Sequence, residues 1–347
     1  MTILWFLLLL GIVVFIHEFG HFIFAKRAGI YVYEFSLGMG PRLFKFKRKN
    51  DETEYSIRLL PIGGYVQMAG ESVEEDKNIP IEKNMQSKTW LQKFLVVVAG
   101  ITFNFILAIV IFFAIGLING SPINKPVVST IVDGEPAFKA GLSSGDKIIG
   151  INGINIKTSD RLLLEMQVSY GKKITLKVKN NEGVVEEISI TPDKLTDEEG
   201  NVSYKYGFNL ENKFEKGFLP ALKYAFTKFI GLLGQMLLII WYLITGKLSI
   251  SNLSGPIGIF NVVQLSVAEG FINFVYLVGY ISLNLGFMNL LPIPALDGGR
   301  LLFLIIEKII GRPLNPKVEN IIHTIGFSLL MLLIIVVSYN DILKLFS

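Results

Sequence analysis

His17, Glu18 and His21 stand together in the run His17-Glu18-Phe19-Gly20-His21, inside an otherwise apolar N-terminal stretch. Residues four apart on a helix share a face, so the two imidazoles can reach one metal ion. Glu18 then lies beside that ion, where a carboxylate can take a proton from a metal-activated water. The chain holds three histidines, and two of them are here. Ionisable groups within apolar sequence are costly in a bilayer and by default mark function. The alternative is a pair of helix-packing histidines that meet by chance.

Zinc hydrolases use three protein ligands plus water. With no cysteine in the chain, the third ligand must be a carboxylate or His323. Glu34 follows His21 closely, but it lies past a basic boundary in strand-like sequence. Glu269 falls on the outer side, and Glu307 follows the last turn of its span. Asp297 ends a broken apolar helix and is flanked by Leu296 and two glycines that permit close approach. Asp297 is therefore the expected third ligand. His323, at the start of the last apolar run, reads as a solvated or packing histidine.

The elements that must carry these residues are those of a membrane protein. In 347 residues, 51% are hydrophobic and 18% charged, and mean hydropathy is +0.51. That fits a polytopic chain with an aqueous module better than a soluble protein. A formal charge of +4 is too small to imply nucleic acid. The absence of cysteine excludes disulfides, thiolate metal sites and cysteine nucleophiles. The first apolar run lacks a basic n-region and a small-residue cleavage site, so it does not read as a signal peptide.

Residues 1–30 hold the first span, with the histidines toward its later end. Lys26 and Arg27 close it, and Arg42, Lys45, Lys47, Arg48, Lys49 and Arg58 follow, which places this loop in the cytoplasm. Residues 31–90 form a cytoplasmic, membrane-associated region: a pair of short hairpins turned by Gly38, Gly40-Pro41, Pro61 and Gly63-Gly64, then an acidic surface connection. Residues 91–120 hold the second span, with Gly100 and Asn104 at helix-packing spacing. Residues 121–210 turn polar and alternating. They read as one extracytoplasmic α/β module with strands near 127–131, 146–151, 174–178 and 184–190 and a helix over 160–170 capped by Ser159. Residues 211–270 contain an apolar stretch interrupted by Pro220, Lys223, Lys228, Gly231 and Gly234, either a crossing or an interfacial amphipathic helix, and then a turn at Leu253–Gly258. Residues 271–347 hold two more spans, the first broken at Pro292-Ile293-Pro294.

Placing Asp297 on the same ion as the histidines fixes the topology. Both spans must run outside to inside, so the stretch 215–250 makes no net crossing and lies at the outer interface. Four spans with both termini extracytoplasmic also satisfy Arg300, Lys308, Arg312 and Lys317.

Taken together, His17-Glu18-x-x-His21, Gly100-x-x-x-Asn104, Phe35-Ser36-Leu37-Gly38-x-Gly40-Pro41, Gly63-Gly64-Tyr65-Val66 and Asn289-x-x-Pro292-x-Pro294-x-Leu296-Asp297-Gly298 resemble the site-2 protease family over nearly the whole chain. The run Ala140-Gly141-Leu142 through Gly145-Asp146-Lys147-Ile148-Ile149 resembles the PDZ domain. The match is to the bacterial RseP-type branch, with one PDZ domain where its best-known members have two. The resemblance implies Zn2+ held by His17, His21 and Asp297, with Glu18 activating water. It implies that Asn289 contacts substrate and that the β region around Gly63, Gly64 and Tyr65 pairs with an unwound substrate strand. It implies cleavage within the transmembrane segments of single-span proteins, such as anti-sigma factors or remnant signal peptides, after another protease has shed their outer domains. It also implies a bacterial cytoplasmic-membrane location among lipid, a peptide ligand for the PDZ groove, and no nucleic-acid partner. A catalytically silent PDZ-bearing membrane scaffold is the competing expectation. Against it, all four catalytic positions are intact.

Overall fold

The computed structural model describes residues 1–70, 79–196, 202–248, 255–312 and 314–346. In chain order the elements begin with α1 (Thr2–Arg27), β1 (Val32–Lys47), β2 (Glu54–Met68) and α2 (Trp90–Asn119). There follow β3 (Ser121–Pro122), β4 (Val128–Ile131), α3 (Pro136–Lys139), β5 (Lys147–Ile151), β6 (Ile154–Asn155), α4 (Ser159–Val168), β7 (Ile174–Lys179) and β8 (Val185–Ile190). Then come β9 (Asp193–Thr196), β10 (Val202–Lys205), β11 (Phe208–Leu210), β12 (Phe214–Glu215) and α5 (Phe218–Ile244), and last α6 (Pro256–Ala268), α7 (Phe271–Leu290), α8 (Asp297–Ile310) and α9 (Pro316–Phe346). They divide into two units, Met1–Phe112 with Ile250–Ser347, and Phe113–Ser249.

Among the described residues, α1, α2, α5, α7 and α9 are long and apolar enough to cross a membrane. The chain is a multi-pass membrane protein. The first unit is built on α1, which stops where its apolar run meets Lys26 and Arg27. Gly29 there adopts φ +67, its N–H bonding the Lys26 carbonyl while the Ile30 N–H reaches Ala25, a paired C-terminal lock that needs a residue free to turn left-handed. Leu9 and Val13 of α1 pack with Val263 of α6 and Phe274, Leu277 and Val278 of α7. Small residues set the crossings. A Cβ on Gly20 would stand 2.6 Å from the Ala99 carbonyl oxygen, and one on Gly286 2.7 Å from the Phe105 ring. The turn expected at Leu253–Gly258 lies partly outside the described residues; Pro256 instead opens α6, its fixed φ suiting the first helical position. Asp341 of α9 accepts the Gly255 and Gly258 N–H groups at 2.8 and 2.9 Å, capping that helix.

Residues 31–69 form one long hairpin, where two short ones were expected. β1 and β2 each bend, so Glu34–Leu37 pairs with 64–67 on one side and with 54–57 on the other, while 44–47 pairs back onto 54–57. The glycines read as turn residues act as the bends that double each strand, and Gly38, Gly40 and Gly63 are left-handed. The result has the order of a four-stranded sheet whose edge is 63–68. It rests on α1 through Phe15, Phe19, Phe22, Phe35 and Tyr55. The connection that follows is more than surface: within its described part, two 3₁₀ turns, Ile81–Lys83 and Met85–Ser87, return Met85 to bond Ala69.

In the second unit a sheet of order β6-β5-β7-β8 closes over Ile148, Ile151, Leu162, Ile174, Leu176 and Val178, all buried. β4 matches the strand expected near 127–131, whereas its partner β11 and the pairs β9–β10 and β3–β12 went unread, because two- to four-residue strands carry too little alternation. Thr158, one residue before the expected Ser159, caps α4 through the Arg161 N–H. α5 runs along this unit: Lys228 donates to Asp160 at 3.0 Å and the Tyr242 hydroxyl to the buried Glu165 at 2.7 Å. Its opposite face, with Leu219, Ile230, Leu237, Trp241 and Ile244, is bare.

Candidate metal centre

α1 brings His17 and His21 to one face, and their Nε2 atoms lie 3.2 Å apart. Asp297 Oδ2 stands 3.1 Å from the first and 3.2 Å from the second. The three donor atoms thus form a near-equilateral triangle of buried lone pairs. Ligands about 2.0–2.1 Å from a tetrahedral zinc stand roughly 3.3–3.4 Å from one another, so the triangle is one face of such a site almost unchanged. Asp297 Oδ2 is buried and makes no hydrogen bond of acceptable geometry. An orphaned carboxylate oxygen between two imidazoles is costly unless a cation completes it. The donor set fits zinc.

The far nitrogens of the rings are held by α2. His21 Nδ1 lies 2.8 Å from the Val96 carbonyl; a carbonyl only accepts, so Nδ1 carries the proton and Nε2 offers its lone pair. His17 Nδ1 lies 3.2 Å from the Asn104 side-chain nitrogen, while Asn104 Oδ1 is buried with no partner. The two ends of an amide differ only by assignment. Turned over, Oδ1 accepts from His17 Nδ1–H, which satisfies both groups and frees the second Nε2. Val96, Gly100 and Asn104, spaced by four, form one stripe on α2. A Cβ on Gly100 would stand 2.3 Å from His21 Nε2. Gly100 and Asn104, read from the sequence as helix-packing residues, touch the imidazoles themselves. Their i, i+4 spacing was the available signal; the Val96 carbonyl, a backbone group, left none.

The carboxylate arrives from the other side. α7 ends at Leu290, the segment Leu291–Leu296 is non-helical, and Asp297 is the first residue of α8. It therefore opens a helix, where the unpaired N–H groups favour an anion, in addition to following a broken one. A Cβ on Gly298 would fall 2.0 Å from the Leu291 carbonyl oxygen and one on Gly299 2.6 Å from that of Ile293. Only glycine lets the chain fold back this tightly. The Trp90 indole N–H donates to the Leu304 carbonyl at 2.7 Å, and Lys308 sits over the same ring at 3.9 Å, which ties α8 to α2.

A cavity of about 200 Å³ opens on the triangle, lined by Glu18, Tyr65, Val66, Met85 and Arg300 among others. Gly64 abuts Glu18, whose Cγ would meet a Cβ there at 3.4 Å, whereas Gly63 faces Met39. Asn289 is buried in the last turn of α7, one residue before the helix ends, and is not among the lining residues. Glu34, weighed as a ligand, is engaged elsewhere. It accepts from Tyr65 at 2.7 Å and Arg58 at 2.9 Å, and from Ser56. Burial alone would push the Glu34 carboxyl up, but the Ser56, Tyr65 and Arg58 bonds outweigh it and hold it low. Burial and the same carboxylate push the Tyr65 phenol up, so it stays a donor.

The model of peptidase family M50 matches residues 5–333. The regulator of sigma-W protease RasP of Bacillus subtilis is 33% identical over 99% of both chains. The zinc metalloprotease RasP of Shouchella clausii is 31% identical over the full length of both. A protein of Clostridium acetobutylicum named as a zinc metalloprotease is 36% identical over 97% of this chain and 96% of its own. The chain belongs to peptidase family M50, the site-2 protease family. It is a zinc metalloprotease of the membrane.

Proposed function

We propose that this enzyme hydrolyses peptide bonds inside the transmembrane segments of single-span proteins, with zinc held by His17, His21 and Asp297. The observation that carries the reading is the triangle of Nε2, Nε2 and Oδ2 atoms, set on helices apolar enough to span a bilayer. Bound there, zinc supplies a Lewis acid for the scissile carbonyl and brings the pKa of its water to around 7. Glu18 takes the proton of the attacking water and returns it to the leaving amine. A substrate helix hides its carbonyls in its own hydrogen bonds and must unwind first. The edge strand at Gly63, Gly64 and Tyr65 offers the replacement partners, because an unpaired strand edge accepts an extended peptide. Tyr65 lines the cavity beside Glu18, which supports that pairing. Asn289, an amide near the end of α7, is the proposed donor to substrate.

The topology belongs to the same proposal: four spans, α5 lying at the outer interface, both termini outside, in a bacterial cytoplasmic membrane. Its support is the way α5 packs. The contacts at Lys228 and Tyr242 are 14 residues apart, roughly 21 Å of helix, and both engage polar groups of one aqueous module. A helix gripped so along its length lies beneath the module and leaves its bare apolar face for lipid. The module, with its sheet and the groove between α4 and β11, we read as a PDZ domain able to take an extended peptide. The name of the Bacillus subtilis relative ties that protein to sigma-W regulation, which supports anti-sigma factors as substrates, already trimmed by another protease; remnant signal peptides are the other substrate class.

The test is Glu18→Gln in purified enzyme with a model single-span substrate. Cleavage should fall by at least about a thousandfold, within the range that general-base catalysis contributes, with zinc content unchanged. Cleavage at the wild-type rate would refute the mechanism.

A further inference from the structure

The break that delivers Asp297 contains a strained residue. Ala295 has φ +82 and is one of three non-glycine residues of positive φ among those described. A side chain in this region is disfavoured, and such a conformation persists only where its surroundings hold it. Two contacts from α9 do so. The Ala295 N–H donates to His323 Nδ1 at 2.9 Å. One turn further along, Gly326 lies against the same segment, where a Cβ would stand 2.5 Å from Pro294. The Phe303 ring of α8 meets the His323 ring edge-on at 5.3 Å and fixes its plane. Of the two roles the sequence offers His323, solvated or packing, the structure shows the packing one. The ring is partly buried, accepts a backbone N–H, and lies outside the ligand triangle.

We propose that His323 is a positioning residue for the metal site: its Nδ1 captures the Ala295 N–H and holds the left-handed turn that presents the Asp297 carboxylate to His17 and His21. The proposal rests on the reading of Asp297 as a zinc ligand. The physical logic is local. Two prolines flank Ile293 and can donate no backbone hydrogen bond, so between Leu291 and Leu296 few N–H groups remain to define the path. Ile293 bonds back to Leu291 and Leu296 to Ile293. The Ala295 N–H is the one that reaches out of the segment to a neighbouring helix. Without an acceptor there, the turn relaxes toward negative φ and the carboxylate two residues on swings with it. The acceptor must be an unprotonated nitrogen, so the ring is the Nε2–H tautomer.

The experiment measures zinc retention in the purified full-length enzyme against a graded chelator, alongside substrate cleavage. His323→Leu, which keeps bulk and removes the acceptor, should weaken retention by roughly tenfold or more, as loss of an outer support typically does. His323→Asn, whose Oδ1 overlays Nδ1, should stay within about threefold of wild type. Adding Ala295→Gly to His323→Leu should restore retention, because glycine takes φ +82 without strain. Wild-type retention in His323→Leu overturns the proposal, as does failure of Ala295→Gly to rescue. If His323→Leu is not recovered folded, His323→Gln replaces it, since its amide overlays Nε2 and misses Ala295; equal retention in the Asn and Gln variants then overturns the proposal. Asp297→Asn keeps the two ideas apart. Unchanged zinc in that variant sinks the ligand assignment itself, whatever His323 does.

Discussion

Gly100→Ala adds one methyl group to a site already closed around it. The added carbon would stand 2.3 Å from His21 Nε2, so the imidazole must leave the Val96 carbonyl or α2 must retreat. We expect a 10- to 100-fold loss of zinc affinity, roughly the range that outer-shell disruption produces, read by chelator competition with helical content unchanged by circular dichroism. Asn104 gives the matched case. Asn104→Ala should lose zinc affinity by a similar factor, while Asn104→Asp, still an acceptor for His17 Nδ1–H, should keep most of it; equal losses in the two would refute the turned amide. At this scale the sequence was generous with candidate ligands and reticent about what surrounds them. The i, i+4 histidine pair and the glycine-flanked Asp297 announce themselves by type and spacing. Around them stand a backbone carbonyl, an amide on another helix and a histidine 26 residues beyond Asp297, and no local pattern marks these groups.

At the scale of the element, the β region shows how a hairpin is moored to a membrane helix. Lys26, at the end of α1, bonds Asp51 at 2.9 Å and Glu52 at 2.6 Å, so the turn of the hairpin is tied to the helix terminus. Burial would raise the Asp51 carboxyl; its bonds from Lys26, the Thr53 N–H and Tyr55 win and hold it at about 2, below its ordinary 3.8. A depressed carboxylate contributes stability that is complete above the ordinary value and is lost as pH falls through the folded one. Between pH 4 and pH 2 the hairpin should therefore loosen from α1. Hydrogen exchange over residues 42–58, corrected for intrinsic rates, should rise across that window and should rise less steeply in Asp51→Asn. The strands were partly legible, because alternation and glycine spacing marked them. The doubling of each strand was not, since bends and turns draw on the same glycines. α6 was missed because Gly255-Pro256 reads equally as a turn or as a helix start.

For the whole molecule, the decisive variable is on which side of the membrane each segment stands. The chain has no cysteine, so single substitutions report accessibility without a background. With four spans, Lys308→Cys should react only after the membrane is opened to reagent, and Lys194→Cys should react from outside in intact cells. Labelling of Lys308→Cys from outside would mean that α5 crosses. The span count is the part of the fold that length and hydropathy left open, because α5 is apolar enough for either role. The support for the proposed interfacial role is the hold of Asp160 and Glu165 on α5, a tertiary fact that hydropathy does not register.

The break between α7 and α8 has a further consequence, in time. Both histidines are synthesised within the first 21 residues, and the carboxylate of the proposed ligand set follows 276 residues later, the difference between positions 297 and 21. At roughly 5–20 residues per second, a nascent chain carries an incomplete site for about 14–55 s. The enzyme is thus assembled unarmed, and translation of its last quarter is the step that arms it.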